Sequence, residues 1–311
     1  MVKFLLQRLL VSILVVWGSL TLVFFLLHIL PGDAARMIGG ETLSQERVDH
    51  LQKQFGLDRP IGEQYMSYIT GIASGDLGSS FVDNQPVVEK LMVHFPSTLA
   101  LTFASGLIAI LIGVVFGVLS AIYQNSWFDY IFRFFSLFSV SMPTFWIGIL
   151  LILIFSVHLK WFPAIGNGSI EQLVLPSVCL GVAGSGLLAR MIRNSMLEVM
   201  NEQFVLALRA KGISEKMVVY QHVLRNALLP SITIIGILVG ELLAGAVVTE
   251  TVFSRQGIGR VVVDAINQKD IPMIQGAILI AAIMYIVVNL LVDLSYSYID
   301  PRIRRAPVNK S

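Results

Sequence analysis

The sequence predicts an all-α integral membrane protein with six transmembrane helices, and three observations carry that expectation. Across 311 residues the mean hydropathy is +0.77 and 55% of the chain is hydrophobic. Only 14% of residues are charged, against about a quarter in soluble domains. The apolar residues are also gathered into runs, six of which approach the roughly 20 residues that a bilayer-crossing helix needs. A formal net charge of +2 leaves no electrostatic footprint for nucleic acid. Cys179, the single cysteine, excludes an internal disulfide and reads as a buried, inert thiol.

Residues 1–30 make the N-terminal transmembrane helix, with the apolar run Leu9–Leu30 behind Lys3 and Arg8. That run exceeds the 7–15 residues of a signal-peptide core, and no small-x-small cleavage site stands before LPGD, so it is expected to remain as an anchor. Residues 31–96 form a long loop with nine acidic residues against five basic ones. Polar helical patterning and the turn signals GLDRP and SGDLGSS predict a small cap of short helices there. Such a cap either covers the rim of the bundle or receives a soluble protein.

The next spans are Ser97–Tyr123 and Phe134–Val157, the latter interrupted by Pro143 in SMPTFW, where a kink or break is expected. Leu173–Ile192 is the weakest span, being short, glycine-rich and closed by Arg190 and Arg193. Leu228–Glu250 and Ile271–Leu294 complete the set, and Phe253–Gln275 between them reads as a partly re-entrant outer loop. Placing the N-terminus inside gathers Lys3, Arg8, Arg133, six basic residues from Arg190 to Arg225 and the basic C-terminus on one side of the membrane. The positive-inside rule therefore makes both termini cytoplasmic.

One polar stretch does not fit a simple bundle. Phe204–Pro230, FVLALRAKGISEKMVVYQHVLRNALLP, is basic and amphipathic between strongly apolar neighbours. Its apolar positions suggest short helices, and Gly212 can take the left-handed conformation that ends one and starts another. Two short helices around a glycine make a rigid knob able to fit a partner and pass on rigid-body motion. The alternative is an ordinary surface loop carrying positive-inside charge.

ALRAKGISEKMVVYQHVLRNALLP resembles the cytoplasmic coupling segment, the EAA loop, of ABC importer permeases, in the form of the dipeptide, oligopeptide and nickel family. QRLL, LPGD, FGLDRPIGEQY, GDLGSSF, SMPTFWIG, ARMIRNSMLEV, TETVFSRQGIGR and DPRIRR match in the same order, so the resemblance covers nearly the whole chain. The long first loop points to the "B" type subunit. The resemblance implies a type I ABC importer permease fold, with an ABC transmembrane type-1 domain over 97–298, a coupling segment over 196–230 and a cytoplasmic tail over 299–311. It implies a bacterial inner membrane location and three kinds of protein partner besides lipid: a homologous second permease, two cytoplasmic ABC ATPases and an extracytoplasmic solute-binding protein. ATP and Mg would bind the ATPases, and no cofactor is expected in this chain. On the same grounds Ala207, Arg209, Ala210, Lys211 and Gly212 form the first half of the ATPase-coupling knob, and His222, Arg225, Asn226 and Pro230 the second. The glutamate that opens the general motif is replaced here by Leu206, so coupling must rest on shape and positive charge.

No phosphate loop, H-E-x-x-H motif, paired cysteines or histidine cluster is present, so neither ATP hydrolysis nor a metal centre is expected in this chain. Ionisable residues at membrane depth are functional candidates because of their cost. Glu241, midway along the fifth span, reads as a translocation-path residue or an interhelical hydrogen-bonding group. Glu250 is a second path candidate that can instead brace the following loop, and Asp293 reads as an interfacial residue. Gly240 and Gly245 are path candidates through their small size, although Gly236 and Gly240 also have GxxxG spacing for helix packing. The expected cargo is a di- or oligopeptide. The short loop around HLKWFPAIGNG is similar to nickel-type members, which keeps nickel or a metal chelate as the alternative. An ion-coupled secondary transporter would show inverted repeats, and a scaffold would need no knob.

Overall fold

The structure, a computed structural model, describes residues 2–29, 46, 49, 52, 53, 56 and 58–299, with the backbone alone at 2–7 and 292–299. LPGD, much of the polar stretch before Gly56, the Asp293 side chain, DPRIRR and the tail after 299 lie outside the described residues. The helices are α1 (Val2–Ile29), α2 (Ile61–Ser74), α3 (Val87–Ile122), α4 (Trp127–Ser141) and α5 (Thr144–Leu151), the last continuing as a π-helix, Ile152–His158. Then come α6 (Ile170–Met200), α7 (Gln203–Ala210), α8 (Glu215–Met217), a π-helix Val218–Val223, α9 (Leu224–Ala227), α10 (Leu229–Val252), α11 (Ile258–Gln268) and α12 (Ile271–Ile299). Among the described residues, five helices are long and apolar enough to cross a membrane, and six spans result if the bent pair α4–α5 counts as one. Helices suit this setting because each satisfies its own backbone hydrogen bonds without water.

The structure shows the break expected at Pro143, corrects the short fourth span and adds a helix to the loop after α10. The third span is a pair of helices bent by 110°. Pro143 caps α5 without an N–H to donate, and Met142 before it is extended (φ −87°, ψ 131°), the conformation a residue preceding proline prefers. The fourth span is not short: α6 runs unbroken over 31 residues through Arg190 and Arg193 and opens on a Ser169–Gln172 capping box. Basic side chains end a membrane run, but nothing in them ends a helix. Finally, Phe253–Gln275 holds the amphipathic helix α11, which buries Ile258 and Ala265 and ends at Lys269 in the left-handed region.

The described residues divide into two compact units, one up to Thr98 with Gln256–Ile286 and one of Leu99–Arg255 with the chain from Val287. In the first, α2 packs on α1 through an aromatic cluster. Phe24 stacks on His28 at 4.1 Å, with Tyr65 and Tyr68 against its other sides. The Asp270 carboxylate accepts from Ser80 Oγ at 2.5 Å and from the Phe81 N–H at 3.0 Å. The larger of two apolar clusters in the second unit draws Leu101, Leu188, Ile192, Leu238, Leu242 and Val223 from α3, α6, α10 and the segment after Gly212. The unit's helices approach through small residues. A Cβ at Gly117 would lie 2.7 Å from the Ala189 carbonyl oxygen, and one at Gly186 2.5 Å from that of Ser136. Such contacts bring helix backbones close where lipid supplies no hydrophobic drive.

Candidate functional site

The knob begins where α7 stops. Gly212 has φ +76°, a left-handed conformation that a Cβ makes costly. Its N–H bonds the Arg209 carbonyl (3.0 Å) and the Ile213 N–H bonds that of Leu208 (3.3 Å). These two bonds are the Schellman pattern, and Leu208 and Ile213 both pack on the core, as its hydrophobic contact requires. The chain reverses into α8, where the carboxylate of Glu215 accepts two hydrogen bonds from Arg209, Nε at 3.0 Å and Nη2 at 2.6 Å. Those bonds hold the Glu215 carboxyl below its ordinary value and raise Arg209 above its own. Because the Glu215 shift is downward, the clamp persists above the ordinary glutamate range and is lost as pH falls through the lowered value. Both side chains are exposed, so Glu215→Gln is expected to change global stability by at most ~1 kcal/mol. It should speed hydrogen exchange across Arg209–Lys216 while leaving the melting temperature nearly unchanged.

What anchors the knob is a buried stripe. Val205, Val218, Val219, Val223 and Ala227 are buried against Val118, Ile192 and Met196. The π-helical turn Val218–Val223 puts three of these valines on the core. The opposite face is open. Phe204, Leu206 (60% exposed), Ala207, Ala210, Met217 and Tyr220 are exposed beside Arg209, Lys211 and Lys216. His222, Arg225 and Asn226 line one open depression with Tyr220, and Asn226 Nδ2 donates to the His222 carbonyl at 2.8 Å. Pro230 is exposed in the first turn of α10, where its missing N–H costs no helical bond. The two halves of the segment therefore belong to one body with a greasy, basic outer face.

The path candidates fall in different places. Glu241 is exposed on α10, an acid on an otherwise apolar surface, and Gly240 beside it is half-buried. Gly245 is not open space: a Cβ there would lie 2.8 Å from Leu180 Cδ1, so its smallness serves α6–α10 packing. Glu250 is wholly buried and interacts with the charge of Arg255, itself 5% exposed, while the Arg255 N–H bonds the Glu250 carbonyl at 2.8 Å. This arrangement ties the loop after α10 to the helix end. Among the described residues no group of three or more His, Cys, Asp or Glu could hold a metal ion.

Sequence reasoning passed over Asp129. Its fully buried carboxylate accepts Ser120 Oγ (2.5 Å), the Asn125 N–H (3.0 Å), and Arg193 Nε and Nη2 (2.9 Å each). A local signal existed, since Ser126 to Asp129 is the capping pattern S-x-x-D before an apolar run. The Arg193 partner, 64 positions away, has no local signal.

Over residues 113–305 the chain matches the model of the binding-protein-dependent transport system inner membrane component, and over 1–102 that of the N-terminal part of such membrane components. The chain belongs to this family. It is accordingly a permease subunit of an ABC importer and a multi-pass inner membrane protein. The permease is 40% identical to a dipeptide transport system permease protein, DppB, of Alkalihalophilus pseudofirmus, over 98% of this chain and 100% of that protein. It is 40% identical to the glutathione transport system permease protein GsiC of Salmonella choleraesuis (98% and 99% covered). It is 38% identical to a probable D,D-dipeptide transport system permease protein, DdpB, of Escherichia coli (94% and 95%). Among solved structures, the permease resembles a chain of the inward-facing MetNI methionine ABC transporter, with a TM-score of 0.58 and 21% identity over 68% of this chain and 97% of that one. At that identity the likeness carries the fold alone, the type I importer permease fold expected from the sequence.

Proposed function

We propose that this permease forms half of a translocation path for di- or oligopeptides, delivered by a solute-binding protein and driven by ATP. The observation that carries the proposal is the knob. A Schellman turn, an Arg209–Glu215 clamp and a buried valine stripe make it rigid, and its exposed face offers apolar and basic groups for a partner. A rigid body of this kind can turn closure of an ATPase into helix movement. The remaining partners are a homologous second permease, two ATPases on the knob's side and a binding protein on the other, with both termini cytoplasmic. ATP and Mg belong to the ATPases, and the cargo class is supported by relatives named for dipeptides and glutathione.

The test is reconstitution of the co-purified complex in proteoliposomes with its binding protein, followed by uptake of labelled dialanine, glutathione and nickel. ATP-dependent peptide uptake is expected. Nickel uptake in place of peptide, or uptake without ATP, would overturn the reading. Within this assay Glu241→Gln should leave assembly and ATP hydrolysis near wild type while changing uptake, because a charge exposed on an apolar helix is retained against a cost of about 3 kcal/mol. Unchanged uptake would remove Glu241 from the path.

A further inference from the structure

Asp129 and Arg193 have a geometry that packing alone does not require. One carboxylate receives four hydrogen bonds from three parts of the fold: Ser120 at the end of α3, Asn125 in the α3–α4 turn and Arg193 on α6. Asn125 adopts a left-handed conformation (φ +61°), and Ser126 caps α4 while its own hydroxyl bonds the Tyr123 carbonyl at 2.6 Å. Arg133 adds a fifth, looser contact at 3.4 Å. The Asp129 carboxylate is fully buried and the Arg193 side chain is 14% exposed, and the guanidinium meets both oxygens in the bidentate form that fixes orientation as well as distance. Arg193 lies seven residues before the end of α6 at Met200, about 10 Å along the helix, and α7 of the knob starts at Gln203.

The same helices are held together further along by glycine contacts. Gly113 and Gly117 of α3 face Leu188 and Ile192 of α6, and Gly186 of α6 faces Ser136 and Ser139 of α4. Glycine contacts bring helices close but leave them free to slide, whereas a bidentate ion pair fixes register. We infer that Asp129 and Arg193 are positioning residues that pin the knob-bearing end of α6 to the α3–α4 turn, so that movement of the knob carries α3 and α4 with it. Breaking the pin should let α6 move without its neighbours. This inference rests on the coupling reading of the knob and adds the route by which its motion enters the bundle.

The test uses the whole complex, with and without ATP and vanadate, and reads hydrogen exchange at two places: the knob, 203–217, and the turn, 120–130. In the wild type both should respond to nucleotide trapping. In Asp129→Asn and Arg193→Gln the knob should still respond while the turn does not, and peptide imported per ATP should fall at least about fivefold, the low end of coupling factors between linked sites. The double variant should be no worse than either single one, and Arg193→Lys, which keeps the charge but loses the fork, should recover part of the turn's response. A turn that responds equally in wild type and variants, or that never responds in the wild type, overturns the pin. Absence of a response in the wild-type knob would instead overturn the coupling reading, so the two failures are distinguishable.

Discussion

Gly212→Pro is expected to leave this permease in the membrane and uncouple it. Proline holds φ near −65° and has no N–H, whereas position 212 sits at φ +76° and donates to the Arg209 carbonyl. The substitution therefore removes both the turn's conformation and one of its two closing hydrogen bonds. A proline in a position it cannot adopt costs on the order of 3 kcal/mol, enough to reduce the intact knob roughly a hundredfold at equilibrium. The valine stripe below the turn is untouched, so the segment stays attached to the bundle while its outer face loses shape. Transport should fall by more than tenfold with ATP hydrolysis still measurable. A Cβ at position 212 would meet nothing within 4 Å, so only the backbone conformation is at stake. Gly212→Asn should then retain most activity, because asparagine visits the left-handed region more readily than other residues with a side chain. Gly212→Ala should fall between the two. Equal transport by all three variants would remove the turn from the mechanism.

The second large effect lies inside the bundle. Gly186→Ala places a methyl group 2.5 Å from the Ser136 carbonyl oxygen and 2.9 Å from Ser139 Oγ. The first obstacle is backbone and cannot rotate away, so α4 must shift from α6. Overpacking of this kind typically costs about 1–3 kcal/mol, and the same displacement strains the Ser139 hydroxyl bond to the Val182 carbonyl. The purified protein should melt at a clearly lower temperature. Gly184→Ala is the control: its new methyl meets the far end of Leu238, a flexible side chain, at 2.6 Å. It should be tolerated better, and an equal loss from both variants would mean that backbone contact is not the cause.

How much of this could be read from the chain depends on how local each signal is. The spans were legible because a bilayer demands one long apolar run per helix, and α1, α3, α10 and α12 follow that rule. The knob was legible through Gly212, whose special conformation is a property of one residue. Less could be read where a helix carries polar groups: Arg190 and Arg193 suggested an end to the fourth span, yet α6 continues through them because arginine is a good helix former, and Arg193 satisfies its charge on a distant carboxylate. The importance of Asp129 was hidden for the same reason, since its strongest partner is brought near by packing. Gly245 shows an ambiguity of another kind. A small residue in a membrane helix signals either open space or close contact, and only the position of Leu180 decides for contact.

Docking of an ATPase on the outer face of the knob should leave a crosslink there and none from the face beneath. A photoreactive amino acid at Leu206, 60% exposed on that face, is compared with one at Val205, which is fully buried one position away. An adduct between Leu206 and an ATPase subunit is expected, with a yield that changes on nucleotide binding, and none from Val205. Failure of Leu206, and likewise of exposed Met217 and Tyr220, to capture an ATPase in the functional complex would contradict such docking.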